Sequence, residues 1–467
     1  MDNYERFKEY LAIALERFKE IDKKETIRLV SHLDADGISA VSIMSRALNL
    51  DNRKYSISIV PQLTSAVIKS LAKEEYNNYV FTDLGSGQLS VIKKHLAGRN
   101  IFIFDHHQPE DVKAANIVHV NPHLFGIDGS KEIGAAGVVY LFARCLNKKI
   151  EELAHIAIIG AIGDLQEEDG FLKLNSEILK TAIEKGKIKV DRGLRIFGAQ
   201  TRALHKVLEY CTDPYIPGVS GSESGAIQFL NQIGIEPKRN GDWTKIVHLS
   251  KEELQKLVAG IIIKRLSEDK PEDVLGNVYI LKEEEKESAL RDAKEFATLL
   301  NSCGRMDKAS LGIGACLGDE KAKERAKRSV NEYKKEIVNA IKWYENGDEN
   351  IIKEEGFIII NAEDRIRASI IGTLASIVAK SNMVKKGTFI LSLAQMLDNT
   401  TKVSLRFSGK KEIDLREVIK SITDKVGGEA GGHARAAGAL IETEKEKEFI
   451  EAAKEVLGKA SLEEKVN

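Results

Sequence analysis

Short apolar runs alternate with helix-length segments through the first third of this chain, and no other feature constrains the fold as much. Runs at 26–30, 55–60, 78–81, 101–104 and 117–120 are β-type in composition. Strands that alternate with helices pair in parallel, because each crossover returns the chain in the same direction, and the helices cover both faces of the sheet. Ligands in such sheets gather beyond the carboxyl ends of the strands, near the point where strand order reverses. Acidic and histidine-bearing segments fall where these runs end: His32-Leu33-Asp34-Ala35-Asp36-Gly37, then Asp83-Leu84-Gly85, then Asp105-His106-His107. A fourth, Asp164, follows the small-residue segment Gly160-Ala161-Ile162-Gly163.

With 467 residues the chain is too long for one compact core, so two or three domains are expected. Hydrophobic residues at 43% and charged ones at 30% predict a globular chain and exclude a disordered one. No apolar stretch approaches the roughly 20 residues that span a bilayer. The opening MDNYERFKEY is charged and amphipathic, which predicts a helix and not a signal peptide. Cysteines 145, 211, 303 and 316 show no CxxC spacing and read as reduced thiols of a cytoplasmic protein. At a formal net charge of -1, a nucleic-acid partner must be held by local basic clusters.

Beyond Asp164 the pattern changes. Residues 173–207 read as helical, 213–222 are turn-rich, and 208–285 carry no metal-type cluster and read as an inserted module. Ser250 and Glu253 form a capping box for a helix running through residue 263. Residues 290–300 are helical and 319–345 form a long charged helix. Strands at 357–360, 388–393 and 402–406 mix with helices at 368–380, 414–425 and 444–459. The expected divisions are a catalytic domain at 1–207 and 286–318, the module at 208–285 as a partner-docking candidate, a connecting helix at 319–346, and a second α/β domain at 347–467.

Five carboxylates and three imidazoles, with oxygen and nitrogen donors but no sulfur, suit a pair of hard or borderline divalent ions. Such a pair points to in-line displacement at phosphorus. In His32-x-Asp34-x-Asp36-Gly37, alternate side chains share one side of an extended strand end, and Gly37 permits a tight turn into the next helix. The competing reading is a polar loop with Asp as helix N-cap. Asp83 and Asp164 each read alone as caps, whereas two histidines after Asp105 have little packing rationale. Gly134-Ala-Ala-Gly137 opens a helix whose N-terminus either takes an anion or merely starts the helix.

The four clusters resemble the motifs of the DHH phosphoesterase superfamily, and Gly431-Gly432-His433-Ala434-Arg435-Ala436-Ala437-Gly438 resembles the GGHxxAAG signature of its associated C-terminal domain. Asn301-Ser-Cys-Gly-Arg305 is similar to the Asn-Ala-x-Gly-Arg element of RecJ nucleases, and the extra module is similar to one in archaeal RecJ-like proteins. Two departures stand out: the second motif is TDLG where bacterial RecJ more often has Asp-Cys-Gly, and 365–369 lack a glycine pair. The resemblance implies an α/β fold in which a mostly parallel sheet domain carries a helical insertion, a long connecting helix and a smaller α/β domain. It implies one ion on His32, Asp34 and Asp83 and a second on Asp36, Asp83, His106 and Asp164, with Asp83 bridging. Mn²⁺ is the expected ion, with Mg²⁺ second. Asp105 would orient an imidazole and His107 would face the substrate phosphate, which completes the catalytic set. Asn301, Arg305, Arg406, Gly431, Gly432 and His433 would contact substrate.

The function implied is a single-strand exonuclease of DNA replication or repair, acting 5′ to 3′ on DNA with RNA as a further substrate, and associated with GINS. The alternatives are a nanoRNA or cyclic-dinucleotide phosphodiesterase and, in another class, a GINS-binding replisome scaffold.

Overall fold

The computed structural model describes residues 2–466 except 169, 212–213, 269, 382 and 410–412; the side chains of His433 and of residues 462–466 are also outside the described set. Asp213, the first residue of the turn-rich run, therefore lies outside it. Contacts divide the chain into two compact units, Met1–Val330 and Asn331–Asn467.

Unit 1 opens with α1 (Asn3–Lys19), β1 (Thr26–His32), α2 (Ala35–Leu50), β2 (Lys54–Val60), α3 (Ser65–Leu71), β3 (Asn78–Thr82), α4 (Leu89–His95), β4 (Asn100–Phe104) and β5 (Ile117–Val120). The five strands are parallel throughout, in the order β2-β1-β3-β4-β5. Strand order reverses at β1: β2 lies on one side of it and β3 to β5 on the other. The C-terminal ends of β1 and β3 therefore border the crevice where such sheets bind ligands.

Successive residues point to opposite faces of the sheet. Val30, Tyr79, Phe81, Ile101 and Ile103 pack with Ile68 and Leu71 of α3 and Ile92 of α4. Val80, Phe102 and Phe104 pack on the other face with Phe18 of α1 and Phe142 of α5 (Ala135–Leu146). The Phe104 and Phe142 rings lie 4.5 Å apart, a contact worth about 1 kcal/mol beyond the area it buries. Helix α2 is small or apolar nearly all round, and 13 of its 16 residues are buried. It packs against α5 and α6 (Ala154–Gly163), whose Ala and Gly residues permit close approach.

Residues 173–207 are not wholly helical. They form α7 (Lys173–Glu184), β6 (Ile188–Leu194) and the start of α8 (Leu204–Glu209). Charges at Lys189, Asp191 and Arg192 hide any apolar alternation in β6. It becomes a strand because it pairs antiparallel with β9 (Leu275–Leu281), from Ile188 opposite Leu281 to Leu194 opposite Leu275. Between these strands lie α9 (Glu223–Gln232), a hairpin of β7 (Lys238–Arg239) and β8 (Asp242–Trp243), and α10 (Lys251–Lys264). They enclose a separate core that includes Leu204, Leu208, Phe229, Leu230, Leu257 and Ile261. That core begins at Leu194, upstream of the expected boundary at 208. The capping box forms: Ser250 Oγ accepts from the Glu253 amide and Glu253 accepts from the Ser250 amide. The chain leaves the module through α11 (Ala293–Arg305), α12 (Ala309–Cys316) and α13 (Glu320–Asn346), and the unit boundary falls inside α13.

Unit 2 contains β10 (Ile351–Glu354), β11 (Phe357–Asn361), α14 (Ala368–Lys380), β12 (Thr388–Gln395), β13 (Thr400–Ser408), α15 (Leu415–Val426), β14 (Glu429–His433), β15 (Ala436–Glu442) and α16 (Glu446–Val466). Its six-stranded sheet runs β10-β11-β12-β13-β15-β14 and is parallel only between β11 and β12. Strands β10, β14 and β15 add to the three expected from sequence. Glu429–His433 reads EAGGH, with no β-type residue, and is a strand through its pairing with β15. Gly432 has φ +119°, and a Cβ there would sit 2.5 Å from the Ala436 carbonyl oxygen. Among the described residues no helix is long and apolar enough to cross a membrane.

Candidate metal centre

Four segments bring their polar side chains together at the crevice. His32 ends β1 and Asp34 caps α2, accepting from the Gly37 amide at 3.0 Å. Asp83 follows β3, Asp105 to His107 follow β4, and Asp164 is the C-cap of α6. His32 Nδ1 lies 2.9 Å from Asp34 Oδ2 and 3.3 Å from Asp83 Oδ2. On the other side of Asp83, His106 Nε2 lies 3.4 Å from Asp83 Oδ1, 3.2 Å from Asp164 Oδ2 and 3.8 Å from Asp36 Oδ2. Among the described residues the donors form two sets, His32–Asp34–Asp83 and Asp36–His106–Asp164, and a third, Asp83–Asp105–His106–His107, that overlaps both, so Asp83 stands between the first two. Asp36, Asp83, Asp105 and His106 are buried. His32, Asp34, Asp164 and His107 keep 28, 25, 21 and 31% of their side-chain surface exposed, so the cluster has a buried floor and an open rim.

The floor is held by specific contacts. Asp36 accepts from the Ala135 and Ala136 amides at 2.6 and 3.0 Å. The helix start at Gly134 to Gly137 therefore does bind an anion, and that anion is the chain's own Asp36 carboxylate. A Cβ on Gly160 would sit 2.5 Å from Asp36 Oδ1, so glycine there lets α6 pass beside it. Asp83 adopts φ +61°, a left-handed conformation that aspartate tolerates and that turns its carboxylate into the cluster. Asp105 accepts from the amides of Ser86, His106 and His107 and from His107 Nδ1 at 2.7 Å, so it orients the second imidazole from behind.

Burial opposes charge throughout the cluster, and neighbours decide the outcome. For Asp36, burial and then the Asp83 carboxylate push the carboxyl up to about 7. Burial and the Asp36 carboxylate likewise raise Asp164 well above the ordinary range. Asp34 and Asp105 fall below it, because His32 and His107 outweigh their burial. Burial lowers the His32 and His106 rings, but the surrounding carboxylates win and hold both well above the ordinary value.

The donor set fits divalent cations. Both Asp83 carboxylate oxygens are shut off from solvent and accept no hydrogen bond; the His32 and His106 rings face them at 3.3 and 3.4 Å, and a divalent cation held between ring and carboxylate would serve both. His106 Nδ1 lies 2.7 Å from the Gly129 carbonyl, which can accept only from a protonated Nδ1, so Nε2 is the nitrogen that a metal would take in place of its proton. Sequence reading missed the residues behind that bond. Gln166 Nε2 donates to the same Gly129 carbonyl at 3.0 Å, and Asn175 donates to Gln166 Oε1 at 2.7 Å. Gln166 lies only two residues past Asp164, but a lone glutamine in a loop carries no local signal.

The expected substrate contacts are less uniform. Asn301 Oδ1 accepts from the Ala35 amide at 3.0 Å, so that oxygen supports the first turn of α2. Arg305 ends α11. In unit 2, Arg406 donates to Ser376 Oγ at 2.9 Å and to the Leu405 carbonyl at 2.8 Å. Gly431 and Gly432 lie on the outermost strand, β14, and the side chain of His433 lies outside the described residues.

Three family models match successive stretches of the chain. The DHH-family N-terminal domain matches residues 26–162, the DHH-CID domain 196–278 and the DHHA1 domain 355–459. An uncharacterized protein of Methanocaldococcus jannaschii is 32% identical over 474 positions, covering 95% of this chain and 99% of its own. The single-stranded-DNA-specific exonuclease RecJ of Bacillus subtilis is 29% identical over 167 positions, 32% of this chain and 21% of that one. RecJ of Thermus thermophilus, solved with Mn²⁺, shares the fold at a TM-score of 0.56 and 16% identity, covering 97% of this chain and 55% of that one. CDC45 from Entamoeba histolytica shares it at 0.65 and 13% identity, covering 98% of this chain and 99% of that one. Three DHH-type domains in chain order, a whole-length relative and the RecJ fold together place this chain in the DHH phosphoesterase superfamily as a RecJ-like member.

Proposed function

We propose that this chain is a metal-dependent exonuclease that hydrolyses phosphodiester bonds of single-stranded nucleic acid, with DNA entering by its 5′ end and RNA a further substrate. One observation carries the reading: Asp83, buried and without a hydrogen bond at either oxygen, stands between two sets of oxygen and nitrogen donors. That is the arrangement a bridging ligand for two ions requires. His32 and Asp34 would hold one ion with Asp83, and Asp36, His106 and Asp164 the other. When bound, such a pair activates water and neutralises charge at phosphorus. Mixed carboxylate and imidazole donors favour Mn²⁺, with Mg²⁺ second. His107, half-exposed at the rim and aligned by Asp105, would donate to the substrate phosphate. The likeness to RecJ, and the name of the Bacillus subtilis relative in particular, supports single-stranded DNA as the substrate.

The test is digestion of 5′- and 3′-labelled single-stranded DNA and RNA with Mn²⁺. The expected product is a ladder of nucleotides released from the 5′ end, and Asp83→Ala lowers the rate at least about 100-fold. Hydrolysis that persists in Asp83→Ala refutes the two-ion reading, and a ladder from the 3′ end reverses the polarity. A second role, as a replisome scaffold that docks GINS on the inserted module, is supported by the module's separate core and by the whole-length likeness to CDC45. In that case Asp83→Ala retains GINS binding in a pull-down, and the intact chain's failure to bind GINS removes the role.

A further inference from the structure

Helix α11 touches the inserted module at its first turns and the metal centre at its last. At the module end, Glu295 accepts from the Gln200 amide at 3.2 Å and from the Thr201 hydroxyl at 2.8 Å. Gln200 and Thr201 belong to the segment that leads from the β6 stem strand into the module core. Glu295 is only 5% exposed, so both of its oxygens are satisfied by that one segment inside the protein. The stem is tied to the same turn: Leu281 of β9 donates to the Arg291 carbonyl at 2.7 Å, and Asp292, the α11 cap, forms an isolated bridge with Ile280.

At the other end, six residues or about 9 Å further along the helix, Asn301 Oδ1 holds the Ala35 amide. Gly304 abuts the Leu33 carbonyl so closely that a Cβ would overlap it. Leu33 and Ala35 flank Asp34, a ligand of the first expected ion. A hydrogen-bonded helix does not shorten, and a buried carboxylate that loses its donors is left with an uncompensated desolvation cost. Movement of the 200–201 segment is therefore either resisted by Glu295 or passed along α11 to the loop that carries Asp34.

We propose that α11 couples the seating of the inserted module to the metal centre, with Glu295 as the positioning residue at the module end. The proposal rests on the reading of the centre as a divalent-cation site.

Calorimetric titration of the full-length protein with Mn²⁺ tests it. Glu295→Ala is expected to weaken Mn²⁺ binding about 10-fold, the low end for a supporting residue. Glu295→Gln keeps an acceptor oxygen and restores part of the loss, and Thr201→Val gives a smaller loss in the same direction. Trp243→Ala, in the module and packed on His205 and Lys238, leaves the affinity unchanged. Wild-type Mn²⁺ affinity in both Glu295→Ala and Thr201→Val overturns the coupling. So does a loss in Trp243→Ala as large as that in Glu295→Ala, because any loosening of the module would then suffice. Asp83→Ala separates the two ideas: unchanged Mn²⁺ binding there refutes the metal reading itself, whereas impaired binding there with wild-type affinity in both Glu295→Ala and Thr201→Val refutes only the coupling.

Discussion

At the scale of single residues, the centre consists of carboxylates and imidazoles whose partners are mostly backbone groups. Asp36 takes two helix amides, Asp105 takes three amides, and His106 is aligned by one carbonyl. The sequence offers these residues as candidates because acids and histidines cluster after apolar runs. The backbone partners were not, since every residue offers the same amide and carbonyl and only the fold selects among them. Gln166 illustrates the difference: it fixes the Gly129 carbonyl that aligns His106. Gln166→Leu, close in volume, removes the donor and is expected to weaken Mn²⁺ binding about 10-fold by calorimetry. An unchanged affinity means that Gly129 alone holds the ring.

At the scale of elements, periodicity was a reliable guide where one face or both faces of an element are buried. The parallel strands of unit 1 and helices α14 and α15 fall within a few residues of their sequence reading. Strand β6 did not, because its partner β9 lies more than 80 residues away and its own side chains are largely charged or half-buried. Strand β14 was hidden for a different reason: glycine permits its conformation and neighbouring β15 supplies the rest. Helix α11 shows how one glycine can fix an element's position. Gly304→Ala places a methyl group against the Leu33 carbonyl and is expected to cost about 3 kcal/mol in urea unfolding, by forcing α11 away from the β1–α2 loop. A cost below about 0.5 kcal/mol would show that the loop yields freely, as ordinary surface substitutions do.

For the whole molecule, stability should depend on pH through a histidine outside the candidate centre. Burial, followed by the charge of Lys187, pushes His155 down to about 4. Below its ordinary value of 6.5 the unfolded chain takes up a proton that the folded chain does not. Stability is therefore lost as pH falls from 6.5 toward 4. Between pH 7 and 5 the loss from this group is on the order of 2 kcal/mol. His155→Gln removes that slope, so urea midpoints at the two pH values should differ less in the variant than in the parent protein. Equal differences would mean that His155 takes up its proton in the folded state.

The amino-acid sequence by itself determined the fold class and the family and offered the candidate residues of the centre, because those depend on local pattern and on side-chain chemistry at short spacing. Tertiary structure alone decided that Asp36 occupies the α5 helix start, that Asp83 stands between two donor sets, and that α11 reaches both the inserted module and the Asp34 loop. Each of these joins residues from about 20 to nearly 270 positions apart. The forces involved, a helix-end amide, a buried carboxylate and a close backbone contact, act over a few ångströms in space and leave no periodic trace along the chain.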